Sequence, residues 1–93
     1  MAKTTKSKSQ PNNKPSPGKL SREEAAFLKK LGARIRQVRK SKGHSSAMKF
    51  AFTYEIDPSS FNRYEAGANI TILSLRKVCN ALEISLDELL KDL

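Results

Sequence analysis

Cysteine and long apolar runs are scarce in this chain of 93 residues. Its one cysteine, Cys79, excludes an internal disulfide and a zinc site built from cysteines, and it fits a reducing, intracellular setting. No apolar run approaches the roughly 20 residues that a membrane-spanning helix needs, and the basic N-terminus lacks the apolar segment of a signal peptide. We therefore expect a cytoplasmic protein with no membrane partner.

Acidic residues are also scarce, with 9 Asp and Glu against 18 Lys and Arg, which gives a formal net charge of +9. No acid occurs between Glu24 and Glu55, an interval that carries Lys29, Lys30, Arg34, Arg36, Arg39, Lys40, Lys42 and Lys49. So many like charges repel one another unless a partner neutralises them, and a phosphate backbone would do so. The charge favours nucleic acid or an anionic membrane surface, although it is also typical of a solvated face.

Residues 1–20 differ in composition from the rest of the chain. The first 19 residues hold five lysines, three of the four prolines and no acid. They have too little apolar surface to offset the entropy lost on ordering, so we predict a disordered basic N-terminal tail. Taking its five lysines from +9 leaves +4 for residues 20–93. The tail is either an arm that follows the DNA backbone or a solubilising leader.

Residues 21–93 show the caps and the apolar spacing of five short helices. The predicted helix starts are Ser21, Ser45 or Ser46, Asp57, Thr71 and Ser85. Gly43 and Gly67 are placed to end the first and third helices. The apolar positions include Phe27, Leu28, Leu31, Ile35, Val38, Met48, Phe50, Phe52, Tyr54, Phe61, Tyr64, Ile72, Leu75, Val78, Cys79 and Leu82. Because no stretch alternates as a strand does, the predicted fold class is all-α, a compact five-helix domain.

The third predicted helix, residues 58–66, follows the second after a joint of about three residues. Two short helices with so tight a joint are typical of a helix-turn-helix, whose second helix lies in the DNA major groove. The helix would turn Phe61 and Tyr64 inward, and its outward residues are Ser59, Asn62 and Arg63. Arginine suits guanine and asparagine suits adenine. A solvated helix face with one arginine is the competing interpretation.

The segments LGARIRQVRKSKG and FAFTYEIDPSSFNRYEAGANITILSLRKVCNALEISLDELL resemble the phage-repressor and Cro-type helix-turn-helix family, also called the XRE family. The resemblance covers Leu31–Leu90, and SSAMKFAF and RYEAGANIT resemble a subgroup of small bacterial regulators. It implies a five-helix lambda-repressor-like DNA-binding domain over residues 21–93, and a bacterial transcription regulator. It also implies an ion pair between Arg39 and Glu65, which fits the need of a buried carboxylate for a partner. A solvent-facing Arg39 is the alternative.

We expect two sets of DNA contacts. Base contacts are predicted for Ser59, Asn62 and Arg63, and phosphate contacts for Ser60, Ser46, Lys49, Lys40, Lys42 and Asn69. Two positions depart from the family pattern: Ala47 stands where many members have glutamine, and Pro58 stands where many have a polar base-contacting residue. The segment between the first and third helices is also one residue longer than the common pattern. We therefore expect fewer base-contacting side chains than is usual for the family.

Nothing in the sequence predicts an enzyme, a cofactor, a metal site or a small-molecule ligand. His44 stands alone, with no nucleophile or carboxylate at a meaningful spacing. The expected partner is double-stranded DNA, bound by a protein that is a monomer in solution or a weak homodimer on DNA, associated with the nucleoid when bound. Two alternatives stay open: an excision or transfer regulator of a mobile element, and an antitoxin-like protein-interaction module.

Overall fold

A computed structural model describes residues 19–93, which form five α-helices and no strand. The helices are α1 (Arg22–Ser41), α2 (Ala47–Thr53), α3 (Pro58–Ala66), α4 (Ile72–Leu82) and α5 (Leu86–Leu90). The predicted all-α class and the five helices are therefore confirmed. Of the predicted tail, Lys19 and Leu20 are exposed and outside any helix, and the remainder lies outside the described residues.

Each helix begins at a short polar side chain that accepts a hydrogen bond from the backbone N–H three residues later. These capping residues are Ser21, Ser46, Asp57, Thr71 and Ser85. The predicted capping box at Ser21 is complete, because Glu24 returns a side-chain oxygen to the Ser21 N–H at 2.9 Å. At Ser85 the hydroxyl accepts from the Glu88 N–H at 3.0 Å. Local polar residues thus decide where every helix starts.

Each of the five helices is followed within two residues by one in the left-handed conformation, which after α5 is Asp92 (φ 61°). Gly43 (φ 91°) and Gly67 (φ 108°) hold this position after α1 and α3, as the sequence predicts. After α2 and α4 the position is taken by Glu55 (φ 59°) and Glu83 (φ 58°), which carry a steric cost that glycine does not. A lysine ammonium donates to the carbonyl of each glutamate, at 2.8 Å for Glu55 and 3.4 Å for Glu83.

The core is built around α3, which packs against both α1 and α2, while α5 packs against α1 and α4. Phe61 of α3 is fully buried, and its ring lies 5.2 Å from that of Phe50. Gly32 lets α1 approach α3 closely: a Cβ there would lie 2.5 Å from the Tyr64 carbonyl oxygen and 2.6 Å from that of Glu65. The position of α3 on α1 is therefore set by backbone contact as well as by side chains.

Several apolar residues that the sequence assigns to the core are exposed instead. They are Phe27, Met48, Phe52 and Ile72, with Tyr54 partly exposed. Met48 and Phe52 lie four residues apart on one side of α2, and Phe50 and Ala51 face the core. The apolar run of α2 is too continuous for its periodicity to separate the two sides. No helix within residues 19–93 is both long and apolar enough to span a bilayer.

Candidate functional site

The outward side of α3 carries the three predicted base-contacting residues, Ser59, Asn62 and Arg63. All three are exposed. At about 100° per residue Ser59 and Arg63 lie roughly opposite Phe61, whose burial fixes which way α3 faces, and Asn62 lies about 100° from Phe61. Within residues 19–93 the Asn62 side chain has no hydrogen-bond partner, so its amide is available to a ligand.

Arg63 folds back along α3 toward the start of the helix. Its Nη1 donates to the Ser59 hydroxyl at 3.1 Å, and its Nη2 donates to the Ser60 hydroxyl at 3.2 Å. Ser60 in turn donates its backbone N–H and its hydroxyl to the same oxygen of Asp57, each at 2.9 Å. A guanidinium has five N–H donors, so three remain for a ligand. The network orients Arg63 over the first turn of α3.

Asp57 is the acid nearest to this network. The backbone N–H and the hydroxyl of Ser60 hold the pKa of the Asp57 carboxyl below its ordinary value of 3.8, and the charge of Arg63 adds to this effect. Asp57 is therefore ionised at neutral pH. Its charge is offset by the donors around it, which limits its repulsion of an anionic ligand at α3.

A depression lies where α2 meets the start of α3. It has a volume of about 400 Å³ and is lined by Ala47, Met48, Pro58, Ser59 and Asn62. Met48 and Pro58 supply apolar surface, and Ser59 and Asn62 supply polar groups. Ala47 and Pro58, the two positions that depart from the family pattern, both line this depression.

The predicted phosphate contacts are not all brought together. Ser46 accepts from the Lys49 N–H at 3.2 Å, and both residues line a second depression of about 210 Å³ beside α2. Ser60 belongs to the network on α3. Lys40 and Asn69 are exposed, and neither lines either depression.

Within residues 19–93, three of the eight cations between Glu24 and Glu55 have hydrogen-bond partners, and of these three Arg39 alone is paired with an acid. Lys42 donates to the Glu83 carbonyl at 3.4 Å. Arg34 donates to the carbonyls of Leu89 and Lys91, each at 3.0 Å, and so satisfies the end of α5. Arg39 is the third. The exposed cations that remain are Lys29, Lys30, Arg36, Lys40 and Lys49.

The predicted pairing of Arg39 with Glu65 is formed. The Arg39 Nε donates to Glu65 Oε2 at 2.7 Å, and the two side chains are 4% and 9% exposed. Arg39 Nη1 also donates to the His44 carbonyl at 2.6 Å. Arg39 is therefore buried and paired within the fold. It holds α3 in place and is not part of the exposed surface of that helix.

The contact of Arg34 with the end of α5 was missed from the sequence. Its only signal is indirect: α5 is five residues long and has no basic residue in its last turn, so its carbonyls need donors from elsewhere. Arg34 lies 55 residues away from Leu89 along the chain, and the basic run around it hides its separate role.

No group of three or more His, Cys, Asp and Glu residues within residues 19–93 is placed to hold a metal ion. The centre of the His44 ring lies 5.0 Å from that of Phe50 and 5.9 Å from that of Tyr54. His44 thus packs against aromatic side chains of the fold. Compared with protein-family models, curated proteins and solved structures, the chain matches none. A function is therefore to be inferred from the side chains of α2 and α3.

Proposed function

We propose that the chain is a sequence-specific, double-stranded DNA-binding transcriptional regulator with a lambda-repressor-like helix-turn-helix. In this proposal α2 and α3 form the helix-turn-helix and α3 lies in the major groove. The observation that carries it is the common exposure of Ser59, Asn62 and Arg63 on one side of a helix whose other side is anchored by Phe61. Such a helix presents polar groups in a rigid register, as base contacts require.

The connection between the two helices supports the proposal. Residues 54–57 join α2 to α3, and the two helices pack against each other. A helix-turn-helix uses a turn of this length. Glu55 makes the turn possible by adopting the left-handed conformation, and the Ile56 N–H donates to the Ala51 carbonyl at 2.8 Å to close it.

The side chains of α3 have the chemistry for base contacts. Arg63 retains donors for the O6 and N7 acceptors of guanine, and Asn62 can both donate to and accept from adenine. The contacts of Arg63 with Ser59 and Ser60 reduce its conformational freedom before binding. Less entropy is then lost when the guanidinium meets a base.

The exposed cations supply the contacts to the DNA backbone. Lys49 lies in α2, lines the depression beside that helix and is exposed. Together with Lys40 it would bind phosphates and position α3, without itself contributing sequence preference. Affinity should therefore fall steeply as salt concentration rises.

A second candidate, protein docking, is favoured by the exposed apolar residues. Met48 and Phe52 of α2 and Ile72 and Leu73 of α4 are each more than 60% exposed, and exposed apolar surface often marks a protein interface. Under this candidate Met48→Ala and Phe52→Ala would both abolish complex formation with a protein partner, and duplex DNA of random sequence would yield no preferred site.

Selection of bound sites from random duplex DNA tests the proposal. The wild type should enrich one site. Arg63→Ala should weaken binding to that site by about 1–3 kcal/mol and relax its preference at one base pair, with non-specific binding nearly intact. Arg36→Ala is the matched control, since it removes an exposed arginine of α1 and should leave the preference unchanged. If Arg63→Ala and Asn62→Ala both keep the wild-type preference, the proposal is wrong.

A further inference from the structure

The depression between α2 and α3 combines an apolar wall with the Asn62 amide, which has no hydrogen-bond partner within residues 19–93. Met48 of α2 lines the depression and is 63% exposed, although Phe50 and Ala51 of the same helix are buried. Pro58 and Asn62 of α3 line the same depression. The exposed apolar surface of Met48 and Pro58 lies beside the Asn62 amide. A ligand that complements both would have an apolar group next to hydrogen-bonding groups.

Duplex DNA presents that combination at its A·T pairs. In the major groove thymine carries a 5-methyl group, and adenine shows an N7 acceptor beside an N6 donor. The Asn62 amide matches both groups of adenine, and the wall made by Met48 and Pro58 matches the methyl group.

The charge around the depression favours DNA over an apolar segment of a protein. Lys49 follows Met48 in α2, and Arg63 follows Asn62 in α3, and both are exposed. The acid at the start of α3, Asp57, accepts two hydrogen bonds from Ser60. An anionic partner with an apolar group on its edge therefore complements this surface in both respects.

We propose that Met48 and Pro58 form a pocket for the 5-methyl group of thymine, and that Asn62 bonds to an adenine next to it. This rests on the proposed function, in which α3 lies in the major groove. Pro58 then contributes to specificity through its ring, although it has no group that can hydrogen-bond to a base. The depression is wide enough, at about 400 Å³, to admit the edge of a base together with its methyl group.

Deoxyuridine tests the pocket, because it differs from thymidine only by lacking the 5-methyl group. Each thymine of the selected site is replaced in turn, and dissociation constants are measured for the wild type. At one or two positions the affinity should fall by about fourfold, the effect of leaving one methyl group unburied. At the other thymines the affinity should stay unchanged.

Two variants of α2 locate the contact. Met48→Ala should bind the thymine and deoxyuridine duplexes with equal affinity at that position, because the wall is gone. Phe52→Ala is the matched control: Phe52 is equally exposed on the same side of α2 but does not line the depression. It should keep the fourfold discrimination. Both residues are exposed, so circular dichroism should show wild-type helix content in each variant.

The results separate this inference from the proposed function. A preferred site that contains no thymine, or one in which no deoxyuridine substitution changes affinity, overturns the methyl pocket and leaves the DNA-binding proposal standing. Discrimination that survives in Met48→Ala also overturns it, because the methyl group is then contacted elsewhere. Absence of any preferred duplex overturns the proposed function and the pocket together.

Discussion

The Arg39 guanidinium and the Glu65 carboxylate form a two-bond ion pair, with Nε 2.7 Å from Oε2 and Nη2 3.2 Å from Oε1. The pair connects the end of α1 to the last turn of α3. Arg39 Nη1 also donates to the His44 carbonyl, which connects Arg39 to the turn that precedes α2. One buried arginine thus holds together the three parts of the chain that orient the outer side of α3.

Removing the carboxylate of this pair should destabilise the fold. Glu65→Ala leaves the Arg39 charge buried without a partner, and such a change costs about 3–5 kcal/mol. Urea unfolding followed by circular dichroism would measure it as a lower midpoint with an unchanged slope. An unchanged midpoint would show that the pair contributes nothing to stability.

A double replacement separates the loss of the pair from the penalty of an unpaired charge. Arg39→Met with Glu65→Leu removes both charges and keeps the volume, so it should regain most of the stability lost in Glu65→Ala. If the double variant is as unstable as the single one, the hydrogen bond to the His44 carbonyl is the more important contribution of Arg39.

Features of the fold that depend on neighbouring residues were predictable from the sequence, and those that depend on packing were not. The bounds of α3 follow from Asp57, Pro58 and Gly67, and its outward residues follow from the helical period once Phe61 is assigned to the core. The exposure of Phe52 was not predictable, because all the aromatic residues of α2 look alike in sequence. Its position depends on which side of a seven-residue helix meets α3.

The candidate site shows the same division. The exposure of Asn62 and Arg63 was predictable from their spacing. The contact of Arg34 with the end of α5 was not, since it requires knowing that α5 folds back onto α1. The depression beside Met48 also arises only when α2 and α3 are packed together.

Gly32 should not tolerate a side chain. In Gly32→Ala the new Cβ would lie 2.5 Å from the Tyr64 carbonyl oxygen, which is backbone and cannot move alone. The overpacking should cost about 3 kcal/mol or more, in spite of the roughly 1 kcal/mol that alanine gains over glycine in a helix. The measurement is the thermal unfolding midpoint.

Gly43→Ala is the control for this prediction. Gly43 has φ 91°, and a Cβ added to it would meet no atom within 4 Å. Alanine there should lower stability only through the cost of the left-handed backbone conformation, about 1–2 kcal/mol. A Gly32→Ala variant as stable as Gly43→Ala would contradict the close approach of α1 to α3.

Two lysines should differ in their effect on DNA binding. Lys49→Gln should reduce the slope of log affinity against log salt concentration by about 1, because one phosphate contact is lost. Lys42→Gln removes the same charge but should change the slope little, since Lys42 donates to the Glu83 carbonyl. Fluorescence anisotropy with one duplex over a salt series would measure both slopes. Equal reductions would place both lysines on phosphates, as predicted from the sequence.

The Asp57 carboxylate should make stability depend on pH in the acid range. The N–H and hydroxyl of Ser60, followed by the charge of Arg63, lower the pKa of Asp57 below 3.8 in the folded chain. A lowered pKa means that the folded state favours the ionised carboxylate. Its contribution is therefore fully present above pH 3.8 and is lost as pH falls through the lower pKa of the folded state.

Asp57→Asn isolates this contribution, because asparagine caps a helix about as well as aspartate but does not titrate in this range. The wild type should have the higher melting temperature at pH 7, and its advantage over Asp57→Asn should shrink as pH is lowered past 3.8. The other acids titrate alike in both proteins and cancel in the difference. Adding salt at pH 7 should weaken the stabilisation of the Asp57 carboxylate by the Arg63 charge. It should leave the stabilisation by the Ser60 hydrogen bonds unchanged. A difference in melting temperature that stays constant from pH 7 to pH 2 would contradict this prediction. It would show that Asp57 caps α3 only by accepting hydrogen bonds and that its charge does not contribute to stability.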